Sequence, residues 1–142
     1  MRNGIIAAGN WIIDHVKIID TWPQRGMLAN IKEEMTGTGG APYNVLVDLA
    51  KMQTGLPLWA LGVIGNDADG KFILQDLQRH RIDTTCMIAT DAAPTSYTDV
   101  MTEERTGART FFHCRGANAL LEYKHFSRVQ APAKIFHLGY LL

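Results

Sequence analysis

The chain has 142 residues, of which 46% are hydrophobic and 20% are charged, a composition that suits one globular domain and excludes wholesale disorder. Its 14 basic residues balance its 14 acidic ones, so the chain carries no general electrostatic attraction for nucleic acid or anionic lipid. No apolar run approaches the roughly 18 residues that a membrane-spanning helix requires.

The elements predicted for the chain alternate between apolar strands and amphipathic helices. Ile5 to Ala8 form a wholly apolar segment that Gly9 ends, which indicates a buried strand. Pro42 suits the first turn of a helix, and the apolar residues from there to Met52 recur with a helical period. In chain order the pattern predicts strands at 5–8, 16–19 and 30–35, a helix at 42–53, a strand at 58–64, a helix that Asp67 caps, and strands at 85–89, 96–101, 109–114 and within 133–142.

This order of elements predicts an α/β fold with a mostly parallel sheet flanked by helices. Four of the predicted strands are too polar for such a sheet, namely 16–19, 30–35, 96–101 and 109–114. We expect these four to form a separate small sheet, inserted into the α/β core by segments near 16–35 and 95–115. Residues 1–142 then make one domain that carries an inserted second sheet.

The glycine pair Gly39-Gly40, which precedes the first predicted helix, is the feature of the sequence that points most clearly to a binding site. Adjacent glycines let the backbone approach a ligand closely and adopt a positive φ without strain. The free N–H groups of the next helix point back toward the same spot. Asn44 lies in the first turn of that helix, where its amide can donate hydrogen bonds to a polyol and accept them. The structural alternative is a tight turn with Asn44 as a local cap.

Asp14 is the second candidate for a binding residue. It follows Gly9 by five residues, so we expect it near the carboxyl end of the first strand, where open α/β sheets bind ligands. A carboxylate there can accept hydrogen bonds from two sugar hydroxyls, whereas the alternative is a solvated loop aspartate. If both candidates belong to one site, Asp14 and Asn44 will lie together beside the glycine pair.

Two better-known motifs fail when they are compared with the sequence in detail. If Gly70 is the invariant glycine of a calcium loop, Gly65 falls where the first carboxylate belongs and Asp76 where a glutamate belongs. A join from strand to turn to helix is the better explanation of that segment. A dinucleotide-binding fingerprint that starts at Gly37 meets Pro42 where its third glycine is required.

The cysteines and histidines give no sign of a metal or redox site. Cys86 and Cys114 are far apart and match no metal-binding or redox spacing, and the five histidines form no metal-spaced pair. The apolar run at the N-terminus is too short for a signal peptide. The sequence therefore predicts a cytoplasmic protein with two reduced, structural cysteines, no metal site, and neither nucleic acid nor membrane as a partner.

Taken in order, these segments resemble the ribokinase-like, or PfkB, carbohydrate kinases over essentially the whole chain. The opening apolar strand followed by Asp14 is similar to the family's first strand and its sugar-binding aspartate. Residues 39–44 resemble the family's first signature, whose glycines and asparagine line the sugar site. Residues 61–70 are similar to the segment that follows it, and 115–118 (Arg-Gly-Ala-Asn) resemble the stretch after the last lid strand.

The resemblance implies a ribokinase-like fold of which this chain is the N-terminal half, with the small sheet as a lid that often pairs between subunits to form a homodimer. It implies a parent enzyme that transfers the γ-phosphate of ATP, together with Mg²⁺, to a hydroxyl of a sugar or nucleoside. The substrate-binding residues that it implies are Asp14, Gly39, Gly40, Asn44, Arg115 and Asn118.

The sequence also departs from the family pattern. It lacks the second signature, Asp-Thr-x-Gly-Ala-Gly-Asp, which holds the family's catalytic base and its anion hole for the transferred phosphate. We therefore expect no catalytic residue in this chain, a base and an ATP site beyond residue 142, and no phosphoryl transfer by the chain alone. Ile12 stands where ribokinases proper carry a second polar sugar contact, which argues against ribose itself.

Two other functions remain open on the sequence. One is a non-catalytic α/β domain that binds a small polar metabolite at the glycine turn. The other is a mononucleotide-binding domain that holds a phosphate at Gly39-Gly40. A carboxylate beside the turn would repel that phosphate, so the position of Asp14 discriminates between a sugar site and a phosphate site.

Overall fold

The computed structural model describes residues 2–127 and 129–141. Within these residues eight strands form two four-stranded sheets. The strands are β1 (Ile5–Ala8), β2 (Ile12–Ile19), β3 (Ile31–Gly39), β4 (Leu58–Gly65), β5 (Asp83–Thr90), β6 (Tyr97–Glu103), β7 (Arg109–Cys114) and β8 (Ile135–Leu138). The helices are α1 (Ala41–Lys51), α2 (Ala68–Arg79), α3 (Tyr123–Phe126) and a 3-10 helix at Gly116–Leu120.

The first sheet has the strand order β5-β4-β1-β8, and every neighbouring pair in it is parallel. Helix α1 leads from β3 to β4, and α2 leads from β4 to β5. Helix α1 and the strands of this sheet lie within two residues of the predicted positions, and α2 begins directly after its predicted cap, Asp67. The predicted α/β fold with a parallel sheet and flanking helices is therefore confirmed.

The second sheet has the strand order β3-β2-β6-β7. Strand β2 is antiparallel to β3 and parallel to β6, and β6 is antiparallel to β7. These are the four polar strands that were predicted to lie outside the parallel sheet. Two are longer than predicted, because β2 begins at Ile12 and β3 continues to Gly39. Ile12 and Ile13 are 4% and 0% exposed at the junction of the two sheets, so their side chains do not show the alternation of a half-exposed strand.

The hydrophobic core has two parts, one on each face of the first sheet. Side chains alternate along β1, so Ala7 belongs to the larger cluster beneath α1 and α2, whereas Ile6 and Ala8 belong to a smaller one. Phe126 of α3 packs against the smaller cluster. The first sheet is thus covered on both faces, as parallel sheets require.

Trp11 joins the second sheet to the core. Its side chain is fully buried, and its indole N–H donates a hydrogen bond to the carbonyl oxygen of Leu61 at 2.8 Å. Gly62 makes room for the ring, since a Cβ there would overlap it. Ile13 of β2 belongs to the same cluster of buried side chains. The start of β2 is therefore fixed to β4 by packing and by a hydrogen bond.

The β8 edge of the first sheet is uncovered. Its apolar side chains are about half exposed, at 53% for Ile135, 49% for Phe136 and 51% for Leu138, and Leu141 beyond it is 55% exposed. These four side chains form an apolar surface at this edge of the sheet. No helix among residues 2–127 and 129–141 is long and apolar enough to cross a membrane.

Candidate functional site

The turn between β3 and α1 consists of Gly39 and Gly40. Gly40 has a φ of 97°, which residues with a side chain rarely adopt, and a Cβ there would overlap the carbonyl oxygen of Asn10. Helix α1 then begins at Ala41 with Pro42 in its first turn, and no side chain caps its N-terminus. The turn therefore lies beside helix N–H groups that no side chain caps.

Asp14 lies directly beside this turn. A Cβ placed on Gly39 would be 2.5 Å from Oδ2 of Asp14, so the carboxylate uses space that the missing side chain leaves free. Burial raises the pKa of Asp14 above its ordinary value of 3.8, although two nearby histidines and a hydrogen bond with Thr98 act in the opposite direction. The sequence placed Asp14 near the end of β1. It lies instead within β2, in the second sheet, and reaches the turn from there.

Asn44 lies on the other side of the same turn, where the sequence predicted it. Its backbone N–H donates to the carbonyl oxygen of Gly40 at 3.1 Å, and its side chain is exposed. Asp14 thus contacts the turn of Gly39 and Gly40, and Asn44 lies in the first turn of the helix that follows. Their role in binding a substrate stays a prediction.

Asn118, in the 3-10 helix, has its side-chain amide engaged by the backbone. It is 5% exposed; its Oδ1 accepts from the N–H of Trp11 at 3.1 Å, and its Nδ2 donates to the carbonyl oxygen of Trp11 at 3.2 Å. These bonds fix the chain just before β2 and so help to position Asp14, which favours a supporting role over direct contact. Arg115 is exposed, and its carbonyl oxygen accepts a hydrogen bond from the hydroxyl of Ser96.

Asn10 is a residue that the sequence analysis missed. It is 1% exposed, and its Nδ2 has no hydrogen-bond partner in the described part of the chain. A buried donor without a partner costs about 1–3 kcal/mol, so Asn10 is a candidate polar contact beside the turn. The available signal was its place, as a polar residue just after the first buried strand and close to Gly40.

The join between β4 and α2 also combines glycines with an aspartate. Asp67 caps α2 by accepting from the N–H of Gly70 at 2.8 Å, and it accepts from the N–H and hydroxyl of Thr95 at 2.7 and 2.6 Å. Burial alone would raise the pKa of Asp67, but these hydrogen bonds outweigh it and hold the pKa below 3.8. This segment is the structural join that the sequence predicted in place of a calcium loop.

Comparison with known proteins identifies the family. Residues 5–142 match the pfkB family carbohydrate kinase model. The chain belongs to the pfkB family. The predicted family is therefore confirmed.

Ribokinases are among the proteins to which this pfkB chain is similar. Ribokinase of Staphylococcus aureus (strain COL) is 28% identical over 119 residues, which are 83% of this chain and 38% of that protein. The solved ribokinase from Giardia lamblia has a TM-score of 0.82 at 22% identity, covering 95% of this chain and 41% of that one. Arabidopsis thaliana ribokinase, complexed with ribose and ATP, has a TM-score of 0.80 at 23% identity, with coverages of 97% and 45%.

The structural matches confirm the ribokinase-like fold. The chain spans less than half the length of each of these relatives. It therefore corresponds to one part of the proteins that it matches, and the second sheet is included in that part, since the matched share of this chain is above 90% in both structures.

The pfkB chain has a cleft at the C-terminal ends of its first two helices, away from the turn. This cleft of about 600 Å³ lies between the C-terminal ends of α1 and α2 and includes Lys51, Arg79 and Arg81. Lys51 and Arg79 stand in the last turns of their helices, where cations offset the helix dipole. Within the described residues, no group of three or more His, Cys, Asp or Glu side chains could hold a metal ion. The cleft lies away from the turn at Gly39-Gly40 and adds no catalytic group to it.

Proposed function

We propose that this chain is the substrate-binding part of an ATP-dependent kinase that phosphorylates a hydroxyl of a sugar or nucleoside. The observation that carries the proposal is the carboxylate of Asp14, which lies against Gly39 where any side chain would collide with it. An ionised carboxylate accepts hydrogen bonds and cannot donate them. It therefore suits a ligand rich in hydroxyl groups, and it would repel a phosphate at the same turn.

Each residue at the turn has a distinct part in this proposal. Asp14 orients the sugar by accepting from two of its hydroxyls, and Gly39 and Gly40 let the ring approach the backbone. Asn44 adds an exposed amide on the helix side. Asn118 holds Trp11 and thereby the start of β2, while the exposed guanidinium of Arg115 would meet an acidic group on the substrate.

The chemistry of the transfer is assigned to other parts of the enzyme. Phosphoryl transfer needs a positioned hydroxyl, a base that takes its proton, and cationic or N–H groups that stabilise the spreading charge. The described residues supply the first requirement, and they offer no acidic cluster for Mg²⁺. We place the base, ATP and Mg²⁺ in residues beyond this chain, which would also cover the apolar edge at Ile135 and Phe136.

The second sheet would act as a lid that excludes water when substrate is bound. Its edge strands β3 and β7 are largely exposed. The exposed Trp22 and Phe112 stack on each other with their ring centres 6.3 Å apart. An exposed aromatic surface on a sheet favours pairing with a second copy, so we propose a homodimer formed through the second sheet, in a cytoplasmic enzyme.

The proposal is tested by assaying the complete protein that contains this chain with Mg–ATP against ribose, fructose and adenosine. Asp14→Asn should lower kcat/KM by about a hundredfold or more, because each hydrogen bond to a charged group contributes about 1.5–3 kcal/mol. Asp48→Asn, on the exposed face of α1, is the matched control and should leave kcat/KM unchanged. The 142-residue chain alone should transfer no phosphate.

Three results would contradict this account. If Asp14→Asn and Asp48→Asn had the same small effect, the turn would not be the sugar site. If the complete protein bound sugars but never phosphorylated them, a non-catalytic metabolite-binding domain would be the better description. Turnover by the isolated chain at the rate of the complete protein would show that the catalytic groups had been misplaced.

A further inference from the structure

The register of the second sheet places a row of polar side chains next to Asp14. Asp14 is paired with Thr98 on β6, and Thr98 is paired with His113 on β7. Residues that are directly paired across a sheet share a face, so all three side chains lie on the face that carries Asp14. On the other side of Asp14 the paired residue is Gly37, and a Cβ there would meet nothing within 4 Å. The row ends with the imidazole of His113 on the β7 side, and on the β3 side it ends at Gly37, which has no side chain.

A hydrogen bond connects the side chains of Thr98 and His113. Thr98 is 7% exposed, and its hydroxyl is 2.9 Å from Nδ1 of His113. A threonine hydroxyl can both donate and accept a hydrogen bond. In the tautomer that carries its proton on Nδ1, the imidazole donates to this hydroxyl and leaves Nε2 as an acceptor.

The position of His113 makes that acceptor available to a ligand. The residue is exposed, on the edge strand β7. Two strand spacings separate it from Asp14, which amounts to about 10 Å between Cα atoms. Thr98 lies between the two residues on the same face, so a ligand that contacts both side chains lies across it. The next row of the same face contains Val16, Val100 and Phe111, an apolar strip suited to the C–H face of a sugar.

We propose that His113 is a second polar contact of the substrate, accepting a hydrogen bond at Nε2 from a hydroxyl on the side of the sugar remote from Asp14. This inference rests on the proposed function, since it assigns a specificity residue to the same site. It selects substrates that carry a hydroxyl at both ends of the ring, and it disfavours analogues that are deoxygenated on the side of β7. Thr98 is the positioning residue that orients the imidazole.

Two substitutions of His113 distinguish the role of Nδ1 from that of Nε2. In His113→Asn the side-chain NH₂ takes the place of Nδ1–H and still donates to Thr98, but nothing replaces Nε2. In His113→Gln the longer side chain brings its amide near the place of Nε2, where its oxygen can accept, and the bond to Thr98 is lost. The proposal requires His113→Asn to raise KM by about three- to tenfold, as expected for one neutral hydrogen bond, while His113→Gln keeps most of the wild-type KM.

The experiment uses the complete protein, with whichever of ribose, fructose and adenosine it phosphorylates fastest, and with the monodeoxy analogues of that compound. One analogue should be used equally well by the wild type and by His113→Asn, because the hydroxyl that Nε2 accepts from is missing in it. Thermal unfolding of both variants checks that they fold. No sugar-dependent turnover by the wild type would refute the proposed function itself, before His113 is considered.

Other outcomes overturn the assignment of His113 while leaving the proposed function intact. A loss in His113→Gln with none in His113→Asn would mean that the imidazole only supports Thr98 and Asp14. Equal losses in both, or no loss in either, would mean that Nε2 contacts no substrate. An effect on kcat without one on KM would likewise contradict a contact made in the bound ground state.

Discussion

The joins β3–α1 and β4–α2 contain the same residue types, but their aspartates make different contacts. Each places glycines before a helix and an aspartate within contact distance. At the β4–α2 join Asp67 accepts three hydrogen bonds, caps the helix, and has a lowered pKa. At the β3–α1 join the helix has no side-chain cap, and Asp14 has a raised pKa.

The difference separates a structural carboxylate from a binding one. A carboxylate whose hydrogen bonds are satisfied within the protein stabilises the fold and has nothing left to offer a ligand. A half-buried carboxylate with a raised pKa is held ionised at some cost, and such perturbed groups gather at functional sites. Single substitutions at each join test this difference.

The largest effect is expected at Asp67. Asp67→Ala should lower the free energy of unfolding by about 2–4 kcal/mol, because it removes a helix cap and leaves the N–H of Thr95 without its acceptor. Chemical denaturation of the complete protein measures this. The exposed Asp83→Ala, whose Oδ1 bonds only to the nearby Thr85, is the control and should cost less than 1 kcal/mol. A loss of stability no greater in Asp67→Ala than in the control would contradict a structural role for Asp67.

Gly39→Ala should damage binding more than stability. The new Cβ would be 2.5 Å from Oδ2 of Asp14, and the side chain must move away from the sugar. We expect kcat/KM to fall by about ten- to a hundredfold, the equivalent of about 1.4–2.8 kcal/mol of lost contact. Gly37→Ala, two residues earlier on β3, meets nothing within 4 Å and serves as the matched control. Similar kinetics for the two variants would argue that Asp14 is not held against the turn.

The smallest effect, and the one with the clearest sign, is the pH dependence of stability. Because the pKa of Asp14 is raised, the folded chain binds that proton more tightly than the unfolded chain does. The ionised carboxylate therefore destabilises the fold once pH rises above 3.8, and Asp14→Asn should be at least as stable as the wild type at pH 7. For Asp67 the pKa is lowered, so its stabilisation is complete above 3.8 and is lost as pH falls below it.

Thermal unfolding between pH 3 and pH 7 compares these two carboxylates directly. Asp67→Asn should show a smaller deficit relative to the wild type at the acid end than at pH 7, and any gain of Asp14→Asn should also shrink there. A midpoint for Asp14→Asn well below that of the wild type at pH 7 would show that Asp14 is a structural residue after all.

The sequence predicted the parallel sheet, the separate polar sheet and the glycine turn, because each leaves a local pattern. Apolar runs mark β1 and β4, adjacent glycines mark the turn, and Asp67 precedes its helix as a cap should. The role of Asn118 left no such pattern. Its partner Trp11 is 107 residues away in the chain, so the contact exists only once both sheets have formed.

The same reason explains why the sequence did not assign Asp14 to β2. Counting from Gly9 predicted it near the carboxyl end of β1 and before the strand at 16–19, but Trp11 and Ile13 are buried at the junction of the sheets and start β2 earlier than its polar residues suggest. The row that joins Asp14 to His113 depends on strand register, which a single sequence does not specify when the strands are far apart in the chain.

The most direct test of the central claim is a crystal structure of the complete protein with the sugar or nucleoside that it phosphorylates fastest. The account predicts that two hydroxyls of the ligand lie within hydrogen-bonding distance of the Asp14 carboxylate, with the ring against Gly39 and Gly40. A ligand bound elsewhere, for example in the cleft near Lys51 and Arg79, with Asp14 making no contact to it, would contradict the account.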